Sequence, residues 1–561
     1  MISWGTKRHR RLGTPGPVLV VLLALVLVAI LGASCTRDSE ATGPSTEVAG
    51  VTTSSVPEVC EPDVDPVVES VAVPGSPTDV DVTSFDGTRI RAHWFPVEGV
   101  AGPSPTVLMG PGWGMAGDTA VDVVGVFGAV NIDTLQAAGY NVLTWDPRGF
   151  GASDGTAMVD SVDYEARDVQ QLLTWVAARP EAQSDGPLDP TVGMVGGSYG
   201  GGIQNVTGAI DCRLDALVPI VAWHSLITSL YKDQTYKQGW AELLGSVART
   251  ARLDPMITEA NQQGQRNGVL TDEQVDWFAA RGPGDLVSQV QAPTLVVGGT
   301  IDTLFTLDES VTNHRLLQDA GTTVSMYWFC GGHGTCLTER GDPSRMVERI
   351  VAWLDRWVRE DRSADTGPAF EFLDQHGTHY SSDRVPLPAG DPITASGSGR
   401  LDLRPDGGSG PAAVAESKRD VLSAFAGSII PAPAENAVDV AIPVRSDAMV
   451  LGAPKLTIRY SGTTPPGEHP TRVFAQLVDR ASGLVVGNQV TPVPVVLDGD
   501  EHTVAVPLEQ VVHLVGPSSD LVLQVVATTT LYGEPRFGGS VELSKVSVEL
   551  PTVTGYRQLQ G

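Results

Sequence analysis

The chain has 561 residues, 42% of them apolar, and carries 66 acidic against 37 basic side chains for a net charge of −29. This length exceeds one ordinary hydrophobic core and predicts two folded domains. The apolar content excludes a disordered chain. The acidic balance excludes a basic groove for nucleic acid, which needs clustered Lys and Arg.

The first predicted element is an export signal, residues 1–35. Lys7 to Arg11 (KRHRR) form a basic leader, and Val18 to Leu31 is an unbroken run of 14 apolar residues. Such a run is short for a membrane span, which needs about 20 residues. It ends in GASC at Cys35, and a cysteine after small residues resembles a bacterial lipoprotein box. The departure is Gly32, which stands where that box usually has Leu. Lipidation of Cys35 is the expectation, with an uncleaved anchor or plain cleavage as the other readings. Residues 36–65 are rich in Ser, Thr, Gly, Pro and acids, and read as a flexible tether. Four cysteines remain besides Cys35: Cys60, Cys212, Cys330 and Cys336. An even number suits an oxidising compartment. Four cysteines allow three pairings. In one of them Cys330–Cys336 staples a short loop and Cys60–Cys212 ties the N-terminal arm to the core. The spacings lack CxxC, and no metal is expected.

From residue 66 to 362 short apolar runs (PTVLMGP, YNVLTWD, TVGMVGG, DALVPIVAW, PTLVVGG, TVSMYWF) alternate with segments of helical period. Val169, Leu172, Leu173 and Val176 show that period, as do Val347, Ile350, Val351 and Leu354. Continuous apolar strands between helices predict an α/β domain whose mostly parallel sheet is covered on both faces. Residues 224–288 interrupt the rhythm and read as an inserted helical lid. From 363 to 561 helical period nearly vanishes. Short alternating runs such as VDVAIPV, LTIRYSG and DLVLQVVA, broken by Gly, Pro and Asp, predict an antiparallel β-sandwich.

The chemistry concentrates at GGSYG, Gly196 to Gly200, which matches G-x-S-x-G after a strand and before a helix. In that setting the turn raises Ser198 as a nucleophile, and small residues on either side avoid collision. Glycine is abundant, at 62 residues, so a flexible turn is a competing reading. An anion-binding loop is another, although no GK[ST] or G-x-G-x-x-G accompanies it. A serine needs a base. Of the ten histidines, His9 lies in the signal, His93 precedes the core strands, and His376, His379, His469, His502 and His513 lie in the β-rich part. Three follow Ser198 within the α/β pattern. His333, in GGHG after the strand TVSMYWFC, stands where an open sheet places its site. His224 opens the lid and could line a pocket, and His314 looks like a helix-surface residue. Asp302, ending the strand PTLVVGG and 31 residues before His333, is the expected acid. Asp308 is the fallback, and a helix-start carboxylate its plainer reading. The expected oxyanion donors are the amides of Tyr199 and Trp113; packing beneath the site is the plainer role for Trp113. Asp146 and Arg148, in WDPRGFGASDG, read as loop-holding residues.

Together, WDPRGFGASDG, GGSYGG, GTIDTLF and GGHG resemble an α/β-hydrolase. With the lid and the following sandwich, the whole resembles the X-prolyl dipeptidyl-peptidase and cocaine-esterase (CocE/NonD) group of serine hydrolases over roughly residues 68–555. The resemblance implies a jelly-roll-like C-terminal domain, opened by a segment similar to Gly377 to Pro388, and Ser198, Asp302 and His333 as catalytic residues without a cofactor. Two features set limits. Cocaine-esterase members use a tyrosine hydroxyl in the oxyanion loop, which here reads PGWG. Dipeptidyl peptidases need an acidic anchor for the substrate amine, for which Glu242 in the lid is one candidate. The expectation is an exported, lipid-anchored serine hydrolase at the outer face of the membrane, cleaving small ester or peptide substrates, X-Pro dipeptides among them. A carboxylesterase without peptidase activity and an inactive surface binding protein are the rivals.

Overall fold

The computed structural model describes residues 60, 62, 64, 66–122, 125–419 and 426–560. The expected signal, Cys35 and most of the tether lie outside these residues. Among the described residues, no helix is long and apolar enough to cross a membrane.

The apolar runs form a twelve-stranded sheet. Its order is Ser70–Ala72, Asp79–Thr83, Arg89–Phe95, Asn141–Trp145, Thr106–Gly110, Val192–Gly197, Ala216–Ile220, Thr294–Gly299, Val324–Phe329, Phe370–Leu373, His379–Ser382 and Arg557–Gln558. Pairing is antiparallel at both ends and parallel from Asn141–Trp145 through Phe370–Leu373. The runs are continuously apolar because neighbouring side chains enter opposite cores. Leu108 and Leu143 pack with Val169, Leu172, Leu173 and Val176 of helix Glu165–Ala177. Val107, Met109 and Val142 pack with Ile350 and Leu354 of helix Ser344–Trp357 on the other face.

Two corrections concern this layout. The expected boundary at residue 362 does not end the sheet: Phe370–Leu373, His379–Ser382 and the C-terminal pair Arg557–Gln558 extend it. A short strand's pattern shows that it pairs but not with what. His314 is buried at 2% exposure, not on a helix surface. Helix Leu307–Ala320 turns Ser310, Asn313, His314 and Leu317 inward, so its buried stripe is largely polar and hydrophobic spacing does not reveal it. Burial pushes the His314 imidazole down to about 4, which leaves it neutral. His93 lies within a sheet strand, between Asp79 at 2.8 Å and Asp146 at 3.2 Å.

The sandwich proper stacks a four-stranded sheet (Ile393–Asp402, Ser540–Leu550, Lys455–Thr463, His502–Pro507) on a five-stranded one. Leu456, Ile458 and Tyr460 alternate with exposed residues along one strand and meet Val473, Ala475 and Leu477 of the other sheet. Six short helices between Leu226 and Gln289 form the lid insertion. The cysteines pair as Cys60–Cys212 and Cys330–Cys336.

Cys212 follows helix Tyr199–Ile210, whose end is held by a fully buried ion pair, Asp211 with Arg213 at 2.6 Å. Arg213 also donates to Thr174 and to the carbonyls of Gln170 and Leu188. Asp211→Ala would strand this guanidinium in the core. It should cost about 3–5 kcal/mol, read as a lowered midpoint in urea melts.

Candidate active site

Helix Tyr199–Ile210 starts directly after strand Val192–Gly197, and Ser198 is the single hinge residue between them. Its backbone has φ 57° and ψ −119°, a conformation that a non-glycine residue holds only when its surroundings enforce it. The Ser198 amide donates to the Ile220 carbonyl, and its own carbonyl accepts from Gly201 and Gly202, each at 2.9 Å. The neighbouring glycines are sterically required. A Cβ at Gly200 would stand 2.1 Å from the Gly110 carbonyl oxygen, and one at Gly196 2.7 Å from that of Gly200. The G-x-S-x-G spacing is therefore a close approach of backbones, not merely a loose turn.

Asp302 comes from the loop after strand Thr294–Gly299 and His333 from the loop after Val324–Phe329. Ser198 Oγ lies 2.7 Å from His333 Nε2, and His333 Nδ1 lies 2.7 Å from Asp302 Oδ2. This geometry fits a neutral imidazole whose Nδ1–H donates to the carboxylate while Nε2 accepts from the serine hydroxyl. Asp302 is wholly buried yet well hydrogen-bonded: Oδ1 accepts from the amides of Leu304 and Phe305, and Oδ2 also accepts from the His333 amide. The edges of Phe127, Trp240 and Phe305 surround the imidazole at centroid distances of 5.3, 5.8 and 5.0 Å. The Cys330–Cys336 bridge closes the loop that carries His333.

The other sequence candidates fall elsewhere. Asp308 faces Gln510 and Lys232, and His224 lies against Asn313 at 3.0 Å. Asp146 accepts from the amides of Gly117 and Ala152, and Arg148 pairs with Asp168 at 2.7 Å, so both hold loops. Trp113 packs its ring against Tyr199 and Phe150 and donates Nε1–H to the Leu244 carbonyl. The amide of Tyr199 opens its helix and so has no carbonyl one turn back to bond.

Several residues that matter here carry no sequence signal. Gln489 Nε2 donates to the Asp302 carbonyl at 2.8 Å, and Asn488 Nδ2 donates to the Thr335 carbonyl at 3.2 Å. Both belong to the sandwich, almost 200 and about 150 residues from their partners. From the lid, Lys237 is buried and donates to the carbonyls of Thr303 and Leu304, while Trp240 Nε1–H reaches the Thr303 hydroxyl. Burial pushes the Lys237 ammonium down to about 8. Beneath Tyr199 lie two further acids. Glu165 accepts from the amides of Met158 and Ser161 and faces the Tyr199 hydroxyl at 3.4 Å. Asp160 is completely buried, with φ 48°, and Gly202 makes room for its carboxyl. A chamber of about 850 Å³ opens beside Ser198 under the lid helices.

Residues 86–334 match the sequence model of the X-Pro dipeptidyl-peptidase (S15 family). That matched stretch contains Ser198, Asp302 and His333 and is what this part of the chain is similar to. Its fold is shared with a CocE/NonD family hydrolase from Staphylococcus aureus, at TM-score 0.62 and 14% identity over 85% of this chain and 93% of that one. It is also shared with an aminopeptidase from a marine sediment Thaumarchaeota archaeon, at TM-score 0.60 and 15% identity over 90% and 99%. A polyketide transferase from a Penicillium species is 26% identical over 144 residues, 26% of this chain and 44% of that protein. A second, from Gibberella fujikuroi, is 25% identical over 191 residues, 32% and 54%. The chain spans about half the length of these curated relatives.

The acids beneath Tyr199 predict a pH-dependent stability. Burial, and then the Glu165 charge, hold Asp160 well above the ordinary carboxylate range. Burial pushes Glu165 up to about 7. The unfolded chain releases the Asp160 proton above about 3.8, whereas the folded chain keeps it, so stability falls as pH rises from there through the folded value. Asp160→Asn keeps the shape and removes the titration. Its melting temperature should exceed that of the wild type by more at pH 8 than at pH 5, as read by calorimetry.

Proposed function

We propose that Ser198 is the nucleophile of an acyl-enzyme mechanism, with His333 as general base and acid and Asp302 as the group that orients it. The observation that carries this reading is the unbroken relay of two 2.7 Å hydrogen bonds from Ser198 Oγ through the imidazole to a buried carboxylate. Ser198 Oγ attacks an ester or amide carbonyl while Nε2 takes its proton. Asp302 stabilises the resulting imidazolium, which then protonates the leaving group. The amides of Tyr199 and Trp113 hold the oxyanion, and the N-terminal end of helix Tyr199–Ile210 adds a favourable dipole. Water, activated by the same imidazole, releases the acyl group. An aminopeptidase and two polyketide transferases stand among the similar proteins, so amide and ester carbonyls, X-Pro dipeptidyl bonds included, both lie within the proposal.

Ser198→Ala should abolish labelling by an organophosphorus probe, and labelling that persists would refute the assignment. Asp302→Asn should lower kcat by about 10⁴-fold while leaving the probe site in place.

The enzyme is further proposed to be exported and held at the outer face of the cell membrane through a lipid on Cys35. The basic leader, the apolar run and GASC support this, as do two disulfides that suit an oxidising compartment. Expressed with its leader in a bacterium, the chain should incorporate a labelled fatty acid and sediment with membranes. Cys35→Ser should lose the label, and unchanged incorporation would exclude Cys35 as the attachment point.

A further inference from the structure

We infer that the chamber beside Ser198 receives a bulky hydrocarbon acyl group. The preferred substrate is then an ester of a long-chain or ring-containing apolar acid, not a dipeptide with a free amino terminus. This rests on the proposal that Ser198 is the nucleophile.

The position of the chamber assigns it to the acyl side. The leaving group must lie against His333, because that imidazole returns the proton to it. The chamber is lined by Ser198 and Tyr199 but not by His333, so it extends away from the leaving group. Its volume of about 850 Å³ lies within the range of roughly 300–1,000 Å³ that encloses ligands far larger than an acetyl group.

The walls decide the chemistry. Leu226, Leu230, Leu244, Ile257, Phe278 and Trp223 supply the apolar lining. Several of the polar groups among the lining residues are already engaged. The Tyr236 hydroxyl donates to Asn261 Oδ1 at 2.6 Å, Gln265 Nε2 donates to the same oxygen at 2.9 Å, and the Tyr231 hydroxyl accepts from the Leu270 amide. Among the described residues, Glu242 is the only carboxylate on the lining. It is solvent-exposed and accepts from Gln238 Nε2 at 2.8 Å. An ammonium brought into this space would lose its hydration without meeting a buried counter-charge. The cations on the lining, Arg249 and Arg252, are exposed as well, and Arg252 donates to the carbonyls of Gly155 and Ser153. A hydrocarbon arm meets no such cost and gains up to roughly fourfold in binding for each methylene it buries.

The test measures kcat/KM of the purified enzyme on p-nitrophenyl esters from acetyl to dodecanoyl, and on glycyl-prolyl p-nitroanilide. A phosphonate probe reports Ser198 in parallel. Expected is a rise of roughly tenfold or more from acetyl to octanoyl, with the dipeptide amide below the longer esters. Ala241 lines the chamber from helix Gln238–Val247, and Ala241→Trp should reduce the octanoyl-to-acetyl ratio. Three results would overturn the inference: acetyl as the best ester, the dipeptide amide exceeding the longer esters, or a ratio that Ala241→Trp leaves unchanged. Failure to hydrolyse any ester while the probe still labels Ser198 removes this substrate class and leaves the nucleophile standing. Absence of labelling in the wild type removes the nucleophile itself, and this inference with it.

Discussion

The site depends on how one buried carboxylate is satisfied. Asp302 accepts four hydrogen bonds, two from its own turn at Leu304 and Phe305 and two from His333, through its amide and its ring. An ionised group without exposure is tolerated only when its acceptor capacity is filled in this way. The same bonds lock the acid turn to the base loop, so the imidazole has one orientation available to it. Gly332 permits this approach: at φ 113° a Cβ there would stand 2.5 Å from Asp302 Oδ2.

Three parts of the chain converge on that turn. The central sheet supplies it at the carboxyl end of Thr294–Gly299. The lid grips it from one side through Lys237 and Trp240, and the sandwich grips it from another through Gln489. Glu509 of the sandwich adds a bond from the Thr306 hydroxyl and an ion pair with Lys232 of the lid at 2.8 Å. A carboxylate–imidazole–hydroxyl relay works only within a few tenths of an ångström. The sandwich and the lid therefore act as clamps on that geometry as well as bounding the space around it. The strain at Ser198 is handled in the same manner. Its left-handed backbone persists because the sheet, the helix and the glycines at 110, 196 and 200 leave it no other path.

Much of this was legible beforehand, for reasons that can be named. The core strands announced themselves by continuous apolar runs, since both sheet faces are covered. The elbow was readable because a close backbone approach demands glycine on each side of the serine. Asp302 and His333 followed from their places after strands that the pattern already marked. The edge of the sheet was not readable: Phe370–Leu373 and His379–Ser382 have the same short alternating form as the sandwich strands. His314 escaped because its buried stripe is polar. Gln489, Asn488 and Lys237 were invisible for a different reason. Each acts through hydrogen bonds to backbone carbonyls, and such bonds place no demand on the sequence around either partner.

Local chemistry, then, is what the sequence by itself determined: the order of strands and helices, the hinge at Ser198, the serine, aspartate and histidine each placed after a strand, and the acidic charge balance of the whole. Tertiary structure alone decided which strands close the sheet, which cysteines meet, what clamps the Asp302 turn, and how large and how apolar the space beside Ser198 becomes. The physical reason is one of range. Steric and periodic constraints act between residues a few positions apart and leave a trace in the order of the letters. Hydrogen bonds, cavities and pairings made between segments that are not neighbours in the chain depend on where folding brings the backbone.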